Sequence, residues 1–544
     1  MKKISILSII ILIVQMSFGQ TTINDNANIS GNWTVANSPY IIAGRAIVPN
    51  GQTLTIEPGV EIRLKSSTST MPSWFNYSSG NVGVIRVKGE IIANGTVSNP
   101  IIFTRNNSGF WGTILIDENS SSASSFSHCI IEYAKESRNV TGISSIISFN
   151  GGITVYKSFI SINQNEFRNN NINGLYIREV TNSFEFSNNT IYNNETNGVV
   201  IEESTANGIN NIFYNNSISA SGQVSAIRSS NSTVYLVGNL IYNNDDFGIF
   251  TTNGGNHYIV NNTIFGNSQG IRVENGANTF IYNSIIQDNT LNFATSSVGG
   301  ATVEMQYSLT NDATFPTNVT NISSNLLGSD ALFTNSGAND FSLQTTSPAI
   351  DKGNPITTGL NIPATDILGN TRVDNSIVDM GAIEFQHPVT NYTIITSSNP
   401  SIGGNTSGGG IFVSGSNVTV SATPNTGYTF INWTENGTVV STNANYSFII
   451  SSNRNLVANF EFTLSVSGNE MEDNKLVVFP NPTKGQIEIK TSEFSSVEIY
   501  DVFGKFILRS FENIIDLSTL PSGTYFVNVN SIKGLVSTKR IIKN

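Results

Sequence analysis

A single cysteine, Cys129, is all the chain carries, so no disulfide can form within it and stability must come from packing. A thiol without a partner reads as a small buried apolar residue, not a nucleophile. Charge is also scarce, at 12% of 544 residues, about half the usual share. The three histidines, His128, His257 and His387, lie far apart in sequence and give no support to a histidine metal site or a catalytic triad. The motifs H-E-x-x-H and G-x-x-x-x-G-K are absent. Low charge does not imply disorder here. Ile, Val, Phe and Tyr recur throughout and supply buried surface, while Asn, Ser, Thr and Gly supply turns. The composition is that of an all-β secreted protein.

Residues 1–19 carry the features of a signal peptide. Lys2 and Lys3 form the basic region, Ile4 to Val14 the apolar region, and Ser17-Phe18-Gly19 the small-residue cleavage context, so the mature chain is expected to begin at Gln20. The apolar run is too short for a membrane span, and no transmembrane segment is expected in the mature chain. Removing residues 1–19 takes away Lys2 and Lys3 and no acid, leaving 25 basic against 38 acidic side chains and a formal charge of −13. That balance argues against nucleic acid or an anionic membrane as the main partner.

The dominant signal is a repeat. Asn-x-[Ile/Phe]-x-x-[Asn/Asp] occurs at Asn165, Asn189, Asn211, Asn239, Asn262 and Asn283, with steps of 24, 22, 28, 23 and 21 residues. A period of about 23 without helical periodicity indicates a solenoid. After four of these motifs a glycine follows (Gly174, Gly198, Gly248, Gly270) and then a short alternating segment: LYIRE, VVIEE, IFTTN or IRVEN. In the coil between Asn211 and Asn239, VSAIRS at Val224 holds the strand position. Each unit reads as short strands separated by turns, one coil of a parallel β-helix. Inward Ile, Val and Phe stack on their equivalents ~4.8 Å away, asparagine serves left-handed turns and coil-to-coil hydrogen bonding, and glycine is expected to permit the corner before the next strand. On this reading Asn243-Asn244-Asp245-Asp246 is a solvated turn and not a catalytic carboxylate pair.

Upstream, Tyr40 to Leu64 and Ile85 to Arg105 show alternating strands broken by Pro-Asn-Gly, Pro-Gly and Asn-Gly turns. From Asn32 to Glu384 the sequence resembles right-handed parallel β-helix proteins of the pectate-lyase-like superfamily. SPAIDKGNP (Ser347 to Pro355), DILGNTR (Asp366 to Arg372) and VDMGAIEF (Val378 to Phe385) resemble the closing segment of such helices, expected to blunt the open end. Asp351, Asp366 and Asp379 there read as backbone caps more readily than as a metal cluster.

Beyond His387-Pro388 the repeat ends. Residues 389–462 hold GGNTSGGG, VTVSATP and GYTFINWTENG and resemble the internalin B-repeat module, in which Tyr428, Phe430 and Trp433 would fill the core. Residues 463–475 form a polar linker. Residues 476–544 resemble the type A sorting domain of the type IX secretion system, on VVFPNPTKGQIEI, VEIYDVFGKFI, IDLSTLPSGTYFVNV and KRIIKN. The residues carrying that resemblance are Pro480, Asn481, Pro482, Gly485, Asp501, Gly504, Gly523, Tyr525, Lys539 and Lys543. The implied fold is an Ig-like β-sandwich, with Gly504 and Gly523 at hairpin corners. The implied partner is the type IX secretion machinery, and the implied location is outside the cell or on its outer-membrane surface, reached through the periplasm. The fold class is therefore all-β: a β-helix over 20–388, a small β module, and the sorting sandwich.

For the working part, the outward positions after the glycines are expected to form two columns. One is Tyr176, Val200, Ala226, Phe250, Arg272; the other is Arg178, Glu202, Arg228, Thr252, Glu274. Opposite charges one coil apart are explained by ion pairing along an outer wall, at ~0.2–1 kcal/mol per pair. As a binding groove, the same face would take an extended polysaccharide or another surface, with Tyr176 and Phe250 as platforms and Arg178, Arg228 and Arg272 as anion clamps beside Glu202. Binding or adhesion without turnover, and without metal or cofactor, is the leading expectation. The alternatives are a lyase cleaving an acidic glycan by β-elimination and a purely structural stalk. The lyase would draw its base from Lys157, Arg168 or Arg178 and its carboxylate neutraliser from calcium, as relatives of this fold do.

Overall fold

The computed structural model describes residues 19–68, 82–118, 120–135, 137–138, 148–218, 223–295, 298–463 and 476–544. Residues 1–18 of the expected signal peptide and 464–475 of the linker lie outside the described residues. The chain divides into two compact units, 1–387 and 388–544.

The first unit is three ladders of parallel strands. Sheet 1 has 13 strands, from Thr21–Ile23 to Leu326–Leu327. Sheet 2 runs from Ala27–Asn28 to Leu291–Thr295 and sheet 3 from Gly31–Trp33 to Val319–Ser323. Sheets 2 and 3 are joined by the long strands Ser225–Val237 and Phe247–Val260, which pass from one to the other. Every coil contributes inward side chains in register. In sheet 1, Phe167, Ile191, Phe213, Ile241, Ile264 and Ile286 stand one above the next, all fully buried. The core therefore repeats along the axis, as the apolar alternation requires.

Asparagine organises the corners in two ways. Asn165, Asn189, Asn211, Asn239 and Asn262 form a buried ladder in which each Nδ2 donates to the next Oδ1 at 2.9–3.1 Å. A second ladder, Asn170, Asn194, Asn216, Asn244, Asn267 and Asn289, repeats this at 2.8–3.0 Å. Cys129, buried, opens the first ladder by donating its backbone N–H to Asn165 Oδ1 at 3.0 Å. The residue before each rung takes the left-handed conformation, as at Asn188, Asn210 and Asn261. The sixth repeat motif is displaced by one residue. Ser284 is the rung below Asn262, through its Oγ at 3.1 Å, and Asn283 is the left-handed corner with φ 49°.

The repeat glycines do not turn corners. Gly174, Gly198, Gly248 and Gly270 sit at the beginnings of sheet 2 strands, without positive φ, where a Cβ would lie 2.6–2.9 Å from the carbonyl oxygen of the next coil. Close approach, not turn geometry, selects glycine there. In the irregular coil Ala226 occupies the same position.

The closing segment does not cover the end of the solenoid. Residues 344–387 pack along the outer side of sheet 1, where Ala349, Met380, Ala382 and Ile383 join Leu240, Tyr242, Ile285 and Leu309 in a second apolar cluster. The corner asparagines anchor it: Asn210 Nδ2 donates to Thr365 O at 3.1 Å, Asn261 Nδ2 to Asp379 O at 2.8 Å, and Asn283 Oδ1 accepts from Asn354 N at 2.7 Å. Asp366 and Asp379 are buried acceptors of backbone N–H groups, Asp366 from Leu368, Asn370 and Glu384, and Asp379 from Asp351 and Phe385. Beside them Arg372, fully buried, faces Glu384 at 3.9 Å. Asp366 and Asp379 thus show the cap chemistry expected of them, whereas the Asp351 side chain accepts from Asn375 Nδ2 at 3.0 Å and faces His387 at 3.4 Å instead of capping backbone.

In the second unit, residues 391–462 pair a five-stranded with a three-stranded sheet around fully buried Trp433, with Tyr428 and Phe430 partly buried against it. Residues 476–544 pair a three-stranded with a four-stranded sheet around Ile487, Ile499, Val527 and Ile541. Gly504 turns the hairpin at φ 77° as expected. Gly523 does not; it begins the strand Gly523–Ser531, and Gly534, φ 78°, makes the following turn.

Candidate functional site

The expected columns exist on the outer face of sheet 2, with one correction of register. Tyr176 pairs with Val200, Val200 with Arg228, Arg228 with Phe250, and Phe250 with Arg272. Arg228 thus belongs to the first column, and Ala226 points into the core. The second column is Arg178, Glu202, Ser230, Thr252. The slip arises because Ala226 replaces the repeat glycine, so each column position falls two residues later than the sequence pattern places it.

This face is closed. Phe250 is 0% and Tyr176 3% exposed, so neither offers a ring face to a sugar. The charged groups are committed to one another. Tyr176 OH donates to Glu202 Oε2 at 2.6 Å, Glu202 pairs with Arg228 at 3.2 Å and Arg178 at 3.6 Å, and Arg272 pairs with Glu274 at 2.9 Å. Burial and Glu202 together push the Tyr176 hydroxyl well above its ordinary pKa. Arg168 lies apart, on the outer face of sheet 1, held by Glu132 at 2.9 Å and Glu166 at 3.0 Å.

An open groove lies at the corner between sheets 2 and 3. It has a volume of about 660 Å³ and is lined by Glu118, Ser120 and Ser122, by Lys157, Ser158 and Phe159, by Glu179 to Asn182, and by Glu203. Lys157, Glu179 and Glu203 hold equivalent left-handed corners in three successive coils, with φ of 49°, 54° and 51°. Lys157 Nζ meets Glu179 Oε2 at 3.3 Å, and its pKa is raised by Tyr156 and Glu179. Phe159 is 39% exposed at the groove wall, against the edge of Phe184. Among the described residues, Ser158 Oγ is buried there without a hydrogen-bond partner. Of the residues expected at a site, only Lys157 lines this groove, with Arg178 adjoining it through Glu179 at 3.2 Å. Phe159, Glu179 and Glu203 were not expected. For the two glutamates the signal is the residue that ends each outward segment, the Glu of IREV and the second Glu of IEES, which sequence reading passes over as a turn.

Asp245 and Asp246 sit in the corner between sheets 1 and 2, Asp245 exposed, with backbone bonds Asp245 N to Asn216 O and Gln269 N to Asp246 O. His257 is buried and lowered to a pKa of about 4 by desolvation, with Nε2 2.9 Å from Ser229 Oγ inside the solenoid. Among the described residues, no group of three or more His, Cys, Asp or Glu is arranged to hold a metal ion.

Comparison with known proteins agrees with this architecture. Residues 27–135 match the pectate-lyase like beta helix domain, 151–337 the right handed beta helix region, 394–463 the divergent InlB B-repeat domain and 477–544 the secretion system C-terminal sorting domain. The chain is a right-handed parallel β-helix protein with a type IX sorting domain. As such it is secreted or displayed at the cell surface and handled by the type IX machinery. Among the described residues no helix is long and apolar enough to cross a membrane. Similar solved structures include the pectate lyase Pel9A (13% identity, TM-score 0.31, 68% of this chain and 98% of that one). A second is a mutant of the periplasmic alginate epimerase AlgG (14%, 0.28, 55% and 72%). A third is the enzymatically active domain of a bacteriophage CBA120 tailspike (11%, 0.26, 97% and 72%). Likeness at this level says nothing of activity. No curated protein matches the chain.

Proposed function

We propose that the β-helix binds an extended polysaccharide, at the surface to which the sorting domain delivers it, and does not cleave it. The observation that carries this reading is the corner groove. It is open, crosses three coils, offers one exposed aromatic ring and is otherwise lined by hydroxyl, amide and carboxylate groups. Sugars are held in this way, with a ring face on Phe159 and hydroxyls on Ser120, Ser122, Thr181, Asn182 and the glutamates. The candidate bases favour binding over elimination. Lys157, Arg168 and Arg178 are each ion-paired and held with raised pKa, so each keeps its proton.

The full-length secreted protein, tested on a glycan array and in parallel for ultraviolet-absorbing unsaturated ends, is expected to bind without turnover. Phe159→Ala is expected to weaken binding by about 1–2 kcal/mol, roughly 5–30-fold, while Arg168→Ala, on another sheet, leaves it unchanged. Appearance of unsaturated ends would establish the lyase instead, and silence in both assays would leave a structural stalk.

A further inference from the structure

The sorting domain separates the residues that define its family from those free to meet a partner. Asn481 donates through Nδ2 to Arg540 O and accepts through Oδ1 from Ile542 N, both at 2.8 Å, tying the entry segment to the edge of the last strand. Asp501 Oδ1 accepts from Phe503 N at 2.8 Å and Lys505 N at 2.9 Å, closing the turn at Gly504. Tyr525 is buried with its hydroxyl on Pro521 O at 2.9 Å, and Lys543 is buried. Pro480 and Pro482 follow cis peptide bonds, and Gly485 lies against Ser518. Most of the motif residues are thus engaged in holding the fold.

Exposed apolar side chains lie on both sheets of the domain, but an aromatic row beside unpaired cations lies on the four-stranded one. Phe506, Tyr500, Phe526 and Arg540 form one row across the four-stranded sheet. Phe506 is 51% exposed, and its ring meets the Tyr500 ring at 5.7 Å. The turn built on Asp501 holds Phe503 out beside this row, 92% exposed. Lys505 and Arg540 flank it, exposed, and neither forms an ion pair among the described residues. Large aromatic side chains presented by a hydrogen-bonded turn, with unpaired cations at the margin, have the anatomy of a protein contact, with an aromatic centre and a polar rim.

We propose that this face, centred on Phe503 and Phe506 with Lys505 and Arg540 at its rim, is the surface by which the type IX export machinery captures the protein. Its counterpart is an apolar, aromatic-accepting patch bordered by carboxylates, since the cations at the rim are unpaired. The domain's identity as a sorting domain requires such a partner, and it is the occupant chosen here. The inference does not depend on the glycan reading.

The test is export of the full chain in its own host. Phe503→Ser combined with Phe506→Ser is expected to lower the amount outside the cell by about tenfold or more, with folded protein accumulating in the periplasm. Lys505→Glu with Arg540→Glu is expected to lower it as well. Val477→Ser with Ile514→Ser, exposed positions on the opposite, three-stranded sheet, is expected to leave export normal. The thermal unfolding profile of periplasmic protein separates lost recognition from misfolding. If the double serine variant misfolds, Phe503→Ala alone, at the turn tip, gives the decision. Normal export with Phe503→Ala and the charge-reversed pair would overturn the proposal. So would an equal loss in the Val477/Ile514 variant, or a change only in self-association by light scattering.

Discussion

Replacing Asn211 by alanine tests whether the asparagine ladder holds the coils together. Asn211 is fully buried. Its Oδ1 accepts from the backbone N of Asn189 at 2.9 Å and from Asn189 Nδ2 at 3.0 Å, and its Nδ2 donates to Phe186 O and Asn239 Oδ1, both at 3.0 Å. Alanine removes all four bonds. Asn239 Oδ1 keeps the backbone N–H of Asn211 at 2.9 Å, and Asn189 Nδ2 keeps Ile162 O at 3.3 Å, but the N–H of Asn189 loses its side-chain partner. Four net contributions of ~0.5–1.5 kcal/mol give roughly 2–6 kcal/mol, and the stranded donor places the expectation in the upper half of that range. Asn207→Ala is the matched control, because it loses one half-exposed bond, to Ser183 Oγ at 2.9 Å, and is expected to cost ~1 kcal/mol or less. Urea unfolding of the purified protein, followed by circular dichroism, reads both. Asn211→Asp adds a sign. It keeps the acceptor but turns the donor into an oxygen facing two oxygens, so its buried carboxyl would have a raised pKa. That variant should therefore be least stable at neutral pH and recover as the pH falls below the carboxyl's folded pKa. Equal midpoint shifts for Asn211→Ala and Asn207→Ala would refute the ladder as a source of stability.

Ile191→Asp places an unpaired charge among the fully buried rungs of sheet 1 and is expected to cost several kcal/mol, fraying neighbouring coils; a midpoint within experimental error of wild type would reject the register. Glu202→Ala is expected to cost ~1–3 kcal/mol, because it takes the acceptor from the Tyr176 hydroxyl and the carboxylate from Arg228, while Arg178 keeps Glu179, and unfolding of this variant measures it. The closing segment should respond to pH: burial pushes Asp379 up to about 6 and Glu384 up to about 8, above their unfolded values, so their contribution is complete in acid and is lost as pH rises through 6 and then 8. Proteolysis within 344–387 should accordingly be faster at pH 8.5 than at pH 5 after correction for protease activity, and equal rates would contradict this. Deleting residues 476–544 should retain the remaining protein in the periplasm of its host, and normal release of the truncated chain would contradict the role of the sorting domain.

The solenoid was legible because its cause is local and repeated: an asparagine every 22–28 residues at a buried rung, with an alternating apolar segment after it, leaves little freedom in how coils stack. Legibility failed where one residue could satisfy the pattern in two registers. Asn283 fits the motif, yet Ser284 supplies the rung because a hydroxyl reaches the N–H of Asn262 as an amide oxygen would, leaving Asn283 to take the left-handed corner. Ala226 hid the column register because the small side chain that the close approach tolerates need not be glycine. The site suffered a different loss. Alternation tells that Tyr176 and Phe250 point away from the core, but pointing outward is not the same as meeting solvent, and both are buried on the outer face of sheet 2. The corner residues Lys157, Glu179 and Glu203 carry the reverse lesson. A left-handed turn in each of three coils sets their side chains in line along an open groove, so the positions that a strand-centred reading discards are those that remain able to touch a ligand.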